Sequence, residues 1–411
     1  MLGRFGAFLF LRVQGMSMVL AGTLPQHATH EAASRPKVLH FVTGGFSGAT
    51  QVALDLVLAH AQSGHFDALL VLRRKPQTDM RRVDALRARG VQVEVVTHWP
   101  HMATIWQLRK LCLQWRPDIL VAHGFSDHIW ARYAGVWAGV PHMVHVEHNS
   151  RERYTWWRLK QSLWLAERTD RIIGCSQGVK ASLLALGFPA EKTIAISNGV
   201  RLEPYGEAGP VPLHMREPGV VMAARFGNQK DHATLIQAVA LLRSRGVTPP
   251  VWLAGGGSAH LRRQAERLAK RLGVETQVHF LGFHPDVPSL LMRNQVCVLS
   301  SHYEGMPLSV IEGMAAGCVV VGSRVPGVQE VIAHEHNGLL VEHQSPQSLA
   351  DALQRVLTDG ALAQALATQG RNDASLHYSL EQMTSAYETE FAALLGQEDC
   401  AHAAQMLRKE G

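Results

Sequence analysis

Residues 299–317 read LSSHYEGMPLSVIEGMAAG, and this stretch indicates the fold class. It begins at the end of an apolar run, which predicts a β-strand that passes into a loop. Pro307 suits the first turn of a helix, and Leu308 and Ile311 lie on one face of that helix. A strand, a loop and an amphipathic helix in this order form the repeating unit of a parallel α/β sheet.

The same alternation of apolar runs and amphipathic segments covers most of the chain. Near-continuous apolar strands separated by helices indicate parallel sheets that are buried on both faces. Residues 198–217 interrupt the alternation with three prolines and no periodicity, so we predict two doubly wound α/β domains joined by a linker. The predicted strands are 38–42, 68–72, 91–96, 119–122, 143–146, 172–175 and 193–196 in the first domain, and 220–223, 251–254, 278–281, 296–299, 319–321 and 339–341 in the second.

The predicted organisation has six parts. They are a leader at 1–36, a first domain at 37–197, the linker at 198–217, a second domain at 218–375, a helix at 376–395 and a tail at 396–411. The apolar run in the leader ends at Arg12 and is shorter than the roughly 20 residues of a membrane-spanning helix. We expect the leader to be disordered, and a weak membrane-surface anchor is the alternative.

Composition restricts the class of protein. Hydrophobic residues make up 46% of the chain and charged residues 18%, which excludes a disordered chain. Lysine and arginine exceed the acids by 40 − 34 = 6, so nucleotides, lipid headgroups and nucleic acid are all compatible partners. The five cysteines are odd in number and form no CxxC pair, so we expect reduced thiols that fill the cores of a cytoplasmic protein.

Two glutamates lie near the predicted loop and helix of residues 299–317. Glu304 is in the loop, and Glu312 follows eight residues later in the helix. Backbone N–H groups at 306–309 would form an anion site that fits a diphosphate. The carboxylates would repel phosphate, so they suit the hydroxyl groups of a ribose and a sugar. The alternative is a helix-start acid and a solvated helix acid.

A pair of cations follows another predicted strand. Arg225 comes directly after the apolar run at 221–224, and Lys230 closes the same strand-to-helix turn. Two fixed cations at such a turn could neutralise a departing diphosphate without a metal ion. The alternative is a pair of surface charges.

These two patterns together resemble a known family. Arg225-x4-Lys230 and Glu304-x7-Glu312, with GMPLS between the glutamates, resemble the signature of the retaining glycosyltransferases of family 4. Further motifs occur in the order expected for that family: Asn198-Gly199-Val200, LAGGG at 253–257, FLG at 280–282, PGVQE at 326–330 and NGLLV at 337–341. The resemblance covers residues 37–395 and implies the GT-B fold, in which two doubly wound Rossmann-like domains face a central cleft.

The resemblance also implies roles for individual residues. Arg225 and Lys230 would hold the diphosphate of the donor, Glu304 would contact the transferred sugar, and Glu312 would accept hydrogen bonds from the ribose. His148 follows a predicted strand and would lie near the reacting sugar, as a positioning or polarising group or as a structural hydrogen-bond partner. His123 is a second candidate of the same kind. The other implied donor-binding residues are Gly44, Gly45, Gly305, Met306, Pro307, Leu308 and Ser309.

The implied activity is transfer of a sugar, with retention of configuration, from a nucleotide diphosphate donor to an acceptor hydroxyl. A UDP-sugar is the leading donor, and the leading acceptor is an envelope polysaccharide such as lipopolysaccharide or a glycolipid precursor. We expect no cofactor and no metal. A sugar-nucleotide epimerase, a phosphorylase with pyridoxal phosphate and a catalytically silent binding protein of the same fold remain alternatives.

Residues 151–171 read RERYTWWRLKQSLWLAERTDR and interleave six cations and three acids with aromatic side chains. Such a helix could bind an anionic membrane surface, and we predict peripheral contact with the cytoplasmic face of the inner membrane as one use. Nucleic-acid binding by charge and stacking is a second possibility, although we expect no nucleic-acid partner. The third is an amphipathic helix that packs its tryptophans on its own domain.

Overall fold

Two parallel β-sheets form the frame of the computed structural model, which describes residues 35–76, 78–124, 127–150, 154–206 and 211–397. The leader predicted at 1–36 lies outside the described residues except for its last two, and the tail predicted at 396–411 lies outside them except for its first two. In the described part of the chain, no helix has the length and apolar composition needed to cross a membrane.

The first sheet has seven strands in the order β3-β2-β1-β4-β5-β6-β7, and every neighbouring pair is parallel. Its strands are β1 (Lys37–Thr43), β2 (Asp67–Arg73), β3 (Val93–Val96), β4 (Ile119–His123), β5 (His142–Glu147), β6 (Arg171–Gly174) and β7 (Thr193–Ala195). The helices between them are α1 (Gly48–Ser63), α2 (Met80–Ala88), α3 (His101–Trp115), α4 (Asp127–Ala138), α5 (Trp156–Ala166) and α6 (Gln177–Ala185).

The second sheet has six parallel strands in the order β10-β9-β8-β11-β12-β13. Its strands are β8 (Glu217–Ala223), β9 (Val251–Ala254), β10 (Val278–Gly282), β11 (Asn294–Leu299), β12 (Val319–Ser323) and β13 (Leu339–Val341). Its helices are α7 (His232–Ser244), α8 (Ala259–Arg271), α9 (Val287–Arg293), α10 (Leu308–Ala315), α11 (Pro326–Val331), α12 (Pro346–Thr358) and α13 (Gly360–His377), and the last helix of the described chain is α14 (Leu380–Leu394).

The fold class predicted from the sequence is confirmed, because both sheets are parallel, doubly wound and covered by helices. All thirteen predicted strands are present, with small differences at their ends. The prediction of a strand from residue 91 was wrong by two residues. The N–H of Val91 donates to the carbonyl of Leu86 and so closes the end of α2 instead of joining the sheet.

Two stretches of chain pass between the domains side by side. The N–H of Val200 donates to the carbonyl of Tyr378 at 2.9 Å, and the N–H of Leu380 donates back to the carbonyl of Val200 at 2.9 Å. Gly199 permits this approach, because a Cβ atom there would lie 2.2 Å from the carbonyl oxygen of Ser379. Helix α14, which follows this crossing, packs its apolar side chains against the first sheet.

The strand order reverses between β1 and β4 in the first sheet and between β8 and β11 in the second. In open α/β sheets the crevice at such a reversal, beyond the carboxyl ends of the strands, is where ligands bind. The loops that follow β8 and β11 contain the cations and the loop glutamate of the sequence prediction. The topology therefore brings these groups to one edge of the second sheet.

Four of the five cysteines are free and buried in these cores, as expected: Cys112, Cys175, Cys297 and Cys318. Burial raises the pKa of the Cys112 and Cys318 thiols to about 12, which keeps them protonated and unreactive at neutral pH. Cys400 lies outside the described residues.

Candidate active site

The loops after β8 and β11 are joined by backbone hydrogen bonds. The N–H of His302 donates to the carbonyl of Gln229 at 2.8 Å, and the N–H of Asp231 donates to the carbonyl of Ser300 at 3.0 Å. The side chain of Asp231 also caps α7, by accepting from the N–H of Thr234. The backbone on either side of Lys230 is therefore fixed.

Lys230 and Glu304 form an ion pair at this junction. The Lys230 Nζ lies 2.5 Å from Oε1 of Glu304, and the Nε2 of Gln229 donates to Oε2 at 2.9 Å. Glu304 is only 4% exposed, so a partner on each carboxylate oxygen is needed to offset the cost of its burial. The structure thus brings together a predicted cation and a predicted acid. Gln229 was missed by the sequence analysis.

Arg225 lies at the start of the same turn. Its side chain is exposed and makes no ion pair with any residue that the structure describes. Its charge is therefore available to a ligand, whereas the charge of Lys230 is balanced by Glu304 until a stronger anion arrives.

The start of α10 presents backbone amides to the crevice. Pro307 is the N-cap residue and supplies no side-chain cap, so the first-turn amides at Leu308 and Ser309 have no side-chain acceptor. The preceding Met306 is buried, with its sulfur 3.1 Å from the backbone nitrogen of Asn198. These positions agree with the predicted anion site, and their contacts to a donor remain a prediction.

Glu312 lies in the second turn of α10 and is half-buried. Burial, and then the nearby carboxylate of Asp55 in α1, raise the pKa of Glu312 to about 7. Asp55 itself forms an ion pair with the guanidinium of Arg201 at 2.8 Å, so the charge of Arg201 neutralises Asp55 and not Glu312. Glu312 is therefore an acid that changes charge near neutral pH, at the side of α10 that meets the first domain.

The loop at Gly305 is one of the points where the two domains touch. A Cβ atom on Gly305 would lie 2.2 Å from the carbonyl oxygen of His148 and 3.0 Å from the Cα of Asn149. The Ser150 hydroxyl donates to the carbonyl of Glu304 at 2.5 Å. The predicted sugar-binding loop of the second domain is thus pressed against the end of β5 in the first domain.

Comparison with known proteins agrees with this geometry. The sequence model described as "Glycosyl transferases group 1" matches residues 210–373, and that described as "Glycosyltransferase Family 4" matches residues 46–204. Together the two matches cover both domains of the chain. The chain belongs to the glycosyltransferases of the group 1 and family 4 type.

Relatives of this glycosyltransferase include a lipopolysaccharide core glycosyltransferase and a galactosyltransferase. The chain is 30% identical over 220 residues to the lipopolysaccharide core biosynthesis glycosyltransferase LpsE of Rhizobium meliloti, which covers 53% of this chain and 63% of that protein. It is 26% identical over 281 residues to the UDP-Gal:alpha-D-GlcNAc-diphosphoundecaprenol alpha-1,3-galactosyltransferase of Escherichia coli, which covers 64% of this chain and 72% of that protein. The chain therefore spans a little under two thirds of the length of the first relative.

Solved structures show the same fold. HepE of Anabaena, solved in complex with UDP and glucose, has a TM-score of 0.74 at 20% identity, over 87% of this chain and 100% of HepE. Sucrose-phosphate synthase of Thermosynechococcus elongatus has a TM-score of 0.75 at 21% identity, over 88% of this chain and 100% of that chain. At such low identity these likenesses establish the GT-B architecture of this glycosyltransferase and nothing finer.

The first domain of the glycosyltransferase supplies His148 at the end of β5. Burial lowers the pKa of His148 to about 4, so the imidazole is neutral at pH 7. Its Nε2 lies 3.1 Å from Nδ1 of His123, which is the last residue of β4 and is fully buried. His148 can therefore polarise or position a ligand, but it is not a cation at neutral pH.

The glycine loop after β1 contains one glycine that packing within the first domain requires. A Cβ atom on Gly44 would lie 2.8 Å from both the carbonyl oxygen of Arg73 and the Oγ1 of Thr78, so packing within the first domain already requires glycine there. Gly45 is exposed, and a Cβ there would only make an ordinary contact with the Oγ1 of Thr43 at 3.9 Å. Donor contacts of this loop stay a prediction.

Three buried groups of this glycosyltransferase could in principle hold a metal: His128, His145 and Glu147. The Nη2 of Arg132 lies 2.9 Å from Nδ1 of His128, and because arginine can only donate, that nitrogen holds the lone pair. The proton of neutral His128 is then on Nε2, which is 3.1 Å from the hydroxyl of Tyr154. A metal ion at this position would place a second positive charge beside the buried guanidinium of Arg132. The protonated Nε2 of His128 would also have no lone pair to bind the metal, so these groups do not fit a metal ligand set.

Proposed function

We propose that this protein is a retaining glycosyltransferase that transfers a sugar from a UDP-sugar to an acceptor hydroxyl of an envelope glycan or glycolipid precursor. The pair of Lys230 and Glu304 carries the proposal. It places a cation suited to a diphosphate 2.5 Å from an acid suited to sugar hydroxyls, beside the contact with His148. A nucleotide sugar has this same order of groups, with its diphosphate next to its sugar.

The charge distribution supports catalysis by stabilisation of the leaving group. Arg225 and Lys230 would bind the diphosphate and hold the negative charge that develops as the bond from the sugar C1 to phosphate breaks. When the diphosphate binds Lys230 in place of Glu304, the Glu304 carboxylate becomes free to accept hydrogen bonds from sugar hydroxyls. Glu312 would accept from the ribose, and the first-turn amides of α10 would meet the phosphates.

The proton of the acceptor hydroxyl goes to the departing diphosphate in this proposal. The acceptor oxygen forms its bond to C1 on the face from which the diphosphate leaves, so the configuration at C1 is retained. The two acids Glu304 and Glu312 line the donor at two separate points and do not flank one bond as in a glycosidase. Closure of the domains at Gly305 excludes water, which would otherwise hydrolyse the donor.

Relatives support the substrate classes. The Escherichia coli relative is named for a UDP-Gal donor and a diphosphoundecaprenol-linked acceptor, and the Rhizobium relative for lipopolysaccharide core synthesis. The HepE structure holds UDP and glucose. These names favour a UDP-hexose as donor and a lipid-linked or lipopolysaccharide saccharide as acceptor.

The test is transfer by the purified full-length chain. UDP-hexoses are screened by thermal shift, and the stabilising donor is then incubated with lipid-linked and core saccharides, with products identified by mass and by the anomeric NMR coupling. Lys230→Met should lower kcat about 10²- to 10³-fold. The matched control is Lys270→Met, an exposed lysine in the last turn of α8.

The outcomes separate the alternatives. A glycosidic product with inverted configuration would contradict retention, and unchanged turnover in Lys230→Met would contradict the leaving-group role. Conversion of the nucleotide sugar to its epimer without an acceptor would show an epimerase. Donor binding without any product would show a silent binding protein, and visible-range absorbance of the purified chain would show pyridoxal phosphate.

We propose further that the first domain contacts an anionic membrane through an aromatic surface on α3, α4 and α5. The exposed side chains of this aromatic surface are Trp106, Leu113, Trp137, Trp156, Trp157 and Trp164. The helices are joined across it, because Arg109 in α3 donates to the carbonyl of Trp137 at 2.9 Å and Tyr133 in α4 stacks on Trp164. The membrane-binding alternative for residues 151–171 is thereby favoured over packing on the domain.

Charge supports the same partner. The Nζ of Lys160 lies 4.0 Å above the ring of Trp156, and the guanidinium of Arg168 lies 3.9 Å above the ring of Trp164. Indole rings with cations beside them suit the headgroup region of an anionic bilayer. Co-sedimentation with vesicles of phosphatidylglycerol and phosphatidylcholine should fall in Trp156→Ser/Trp157→Ser, while an exposed double change elsewhere, Leu272→Ser/Phe283→Ser, has no effect. Equal binding of both variants would contradict the proposal.

A further inference from the structure

A row of three histidines, the inner two of them fully buried, runs inward from the candidate active site. The Nε2 of His148 lies 3.1 Å from Nδ1 of His123, and the Nε2 of His123 lies 3.1 Å from Nδ1 of His40. The three residues come from neighbouring strands, since His40 is in β1, His123 ends β4 and His148 follows β5. The rings of the two successive pairs are stacked, with centroids 5.4 Å apart in each pair.

Each imidazole in the histidine row is neutral. His40 and His123 are fully buried, and burial holds the pKa of both well below its usual range. A neutral imidazole has one N–H and one lone pair, so each hydrogen bond fixes the tautomer of both partners. The three rings therefore have two consistent arrangements, in which all protons point towards His148 or all point away from it.

The inner end of the histidine row distinguishes these arrangements. The Nε2 of His40 is buried and has no hydrogen-bond partner among the residues that the structure describes. If the protons pointed away from His148, this nitrogen would be an orphaned N–H donor. If the protons point towards His148, the Nε2 of His40 holds only a lone pair. Protein interiors contain unsatisfied acceptors more often than unsatisfied donors, which favours this arrangement.

We propose that His40 and His123 are positioning residues that fix the proton of His148 on Nδ1, so that its ring donates a hydrogen bond into the cleft. The donation passes from His40 Nδ1–H to His123 Nε2, and from His123 Nδ1–H to His148 Nε2. The inference rests on the proposed function only where it assigns the acceptor of the outer bond, which is a hydroxyl oxygen of the donor sugar. The tautomer of His148 is a property of the protein alone.

The first test reads the tautomer directly in the ligand-free protein. Imidazole ¹⁵N spectra of the histidine-labelled full chain are assigned by loss of signals in His148→Asn. We expect Nδ1 of His148 to be protonated in the wild type, and Nε2 to gain the proton in a fraction of molecules in His40→Phe. His40→Asn should restore the wild-type pattern, because its amide nitrogen can donate from nearly the position of Nδ1.

His40→Phe keeps an aromatic ring against His60 and Phe391, and so preserves the packing of this core. If this variant fails to fold, His40→Leu serves the same purpose, and circular dichroism confirms the fold in either case. A wild-type His148 with its proton on Nε2 would overturn the proposal. So would a tautomer that is unchanged when the His40 ring nitrogens are removed.

The second test is a double-mutant cycle on sugar transfer. His40→Phe should lower kcat/KM about five- to tenfold, the value of one hydrogen bond, while His40→Asn stays within about twofold of wild type. In a His148→Ala background the His40→Phe change should have no further effect, because His40 acts through His148. Additive losses would overturn the proposal. If no transfer is detected at all, the proposed function fails while the tautomer measurement still decides this inference.

Discussion

The carboxylate of Glu330 in α11 accepts a 2.9 Å hydrogen bond from the backbone N–H of Gly178 in α6, on the other side of the cleft. Its second oxygen accepts from the N–H of Gln177 at 2.5 Å. The third amide of α6 is capped by Ser176 within the first domain. An acid of the second domain thus completes the N-terminal cap of a first-domain helix, where the helix dipole favours negative charge.

Loss of this interdomain cap should weaken domain closure. Glu330→Ala removes two charge-assisted hydrogen bonds, which at a half-exposed site contribute about 1–2 kcal/mol. We expect the Kd for the donor, measured by calorimetry, to rise about five- to thirtyfold because the donor binds between the closed domains. The radius of gyration from solution scattering should increase. Glu335→Ala, which breaks an exposed pair with Arg355 in the same domain, is the control, and equal effects of both changes would contradict the prediction.

A side chain at Gly305 should also prevent closure, by a steric route. The Cβ of Gly305→Ala would lie 2.2 Å from the carbonyl oxygen of His148, and backbone on both sides leaves little room to adjust. Overpacking of this kind costs about 1–3 kcal/mol, so kcat/KM should fall about five- to 150-fold. The clash is relieved when the domains separate, so the melting temperature should change little. Gly360→Ala, which meets no atom within 4 Å, is the matched control. Wild-type kinetics in Gly305→Ala would show that closure at this contact is unnecessary.

The raised pKa of Glu312 predicts opposite pH effects on donor binding and on stability. Its pKa is about 7 in the folded protein, against 4.5 for the unperturbed side chain, so the folded state binds the proton more tightly than the unfolded chain. Glu312 therefore makes its full contribution to the free energy of unfolding below about pH 4.5, and this contribution is lost as the pH rises through 7. Binding of ribose hydroxyls favours the ionised acid, so affinity for a UDP-sugar should increase between pH 6 and 8.

Glu312→Gln should abolish both slopes, because the amide does not titrate. Donor affinity of the variant should be flat from pH 6 to pH 8 and about tenfold below wild type at pH 8. The measurements are calorimetric donor titrations and urea unfolding at each pH. Glu381→Gln, an exposed change in α14, should retain both wild-type slopes. A variant with wild-type affinity at pH 8 would refute the ribose role of Glu312.

The fold was predictable because its signals are local. Short apolar runs such as 119–122 and 251–254 are buried on both faces of a parallel sheet, and this requirement leaves a pattern that can be read within each run. The ends of strands are less local. Val91 looks like a strand residue by type, but its N–H is used by the helix before it.

The site was predictable where its groups follow strand ends and not where distant elements meet. Arg225, Lys230 and Glu304 follow strand ends and could be assigned to one sheet edge. The histidine row depends on the order of β1, β4 and β5 in space, which sequence spacing does not give. The available signals were His123 and His148, near the carboxyl ends of two predicted strands, and His40 in the middle of a third. Glu330 was noticed only as part of a motif, because its partners are backbone amides about 150 residues away in the chain.

Helix α14 contains a buried hydroxyl whose removal should stabilise the protein. Tyr387 is fully buried, and its Oη has no hydrogen-bond partner among the described residues. Burial raises the pKa of its phenol, so the group stays neutral and contributes only an unsatisfied polar atom. Tyr387→Phe should therefore raise the free energy of unfolding in urea by about 0.5–1.5 kcal/mol.

The neighbouring Phe391→Ala tests whether α14 is held by packing rather than by polar contacts. Phe391 is fully buried against Tyr387 and His40, and its truncation should cost about 3–5 kcal/mol. Tyr378→Phe is the control for the hydroxyl, because the Tyr378 Oη lies 3.4 Å from the carbonyl of Glu330 and its loss should not stabilise. A Tyr387→Phe protein less stable than wild type would mean that the hydroxyl has a partner, such as a bound water, and that the interface of α14 with the first sheet is partly polar.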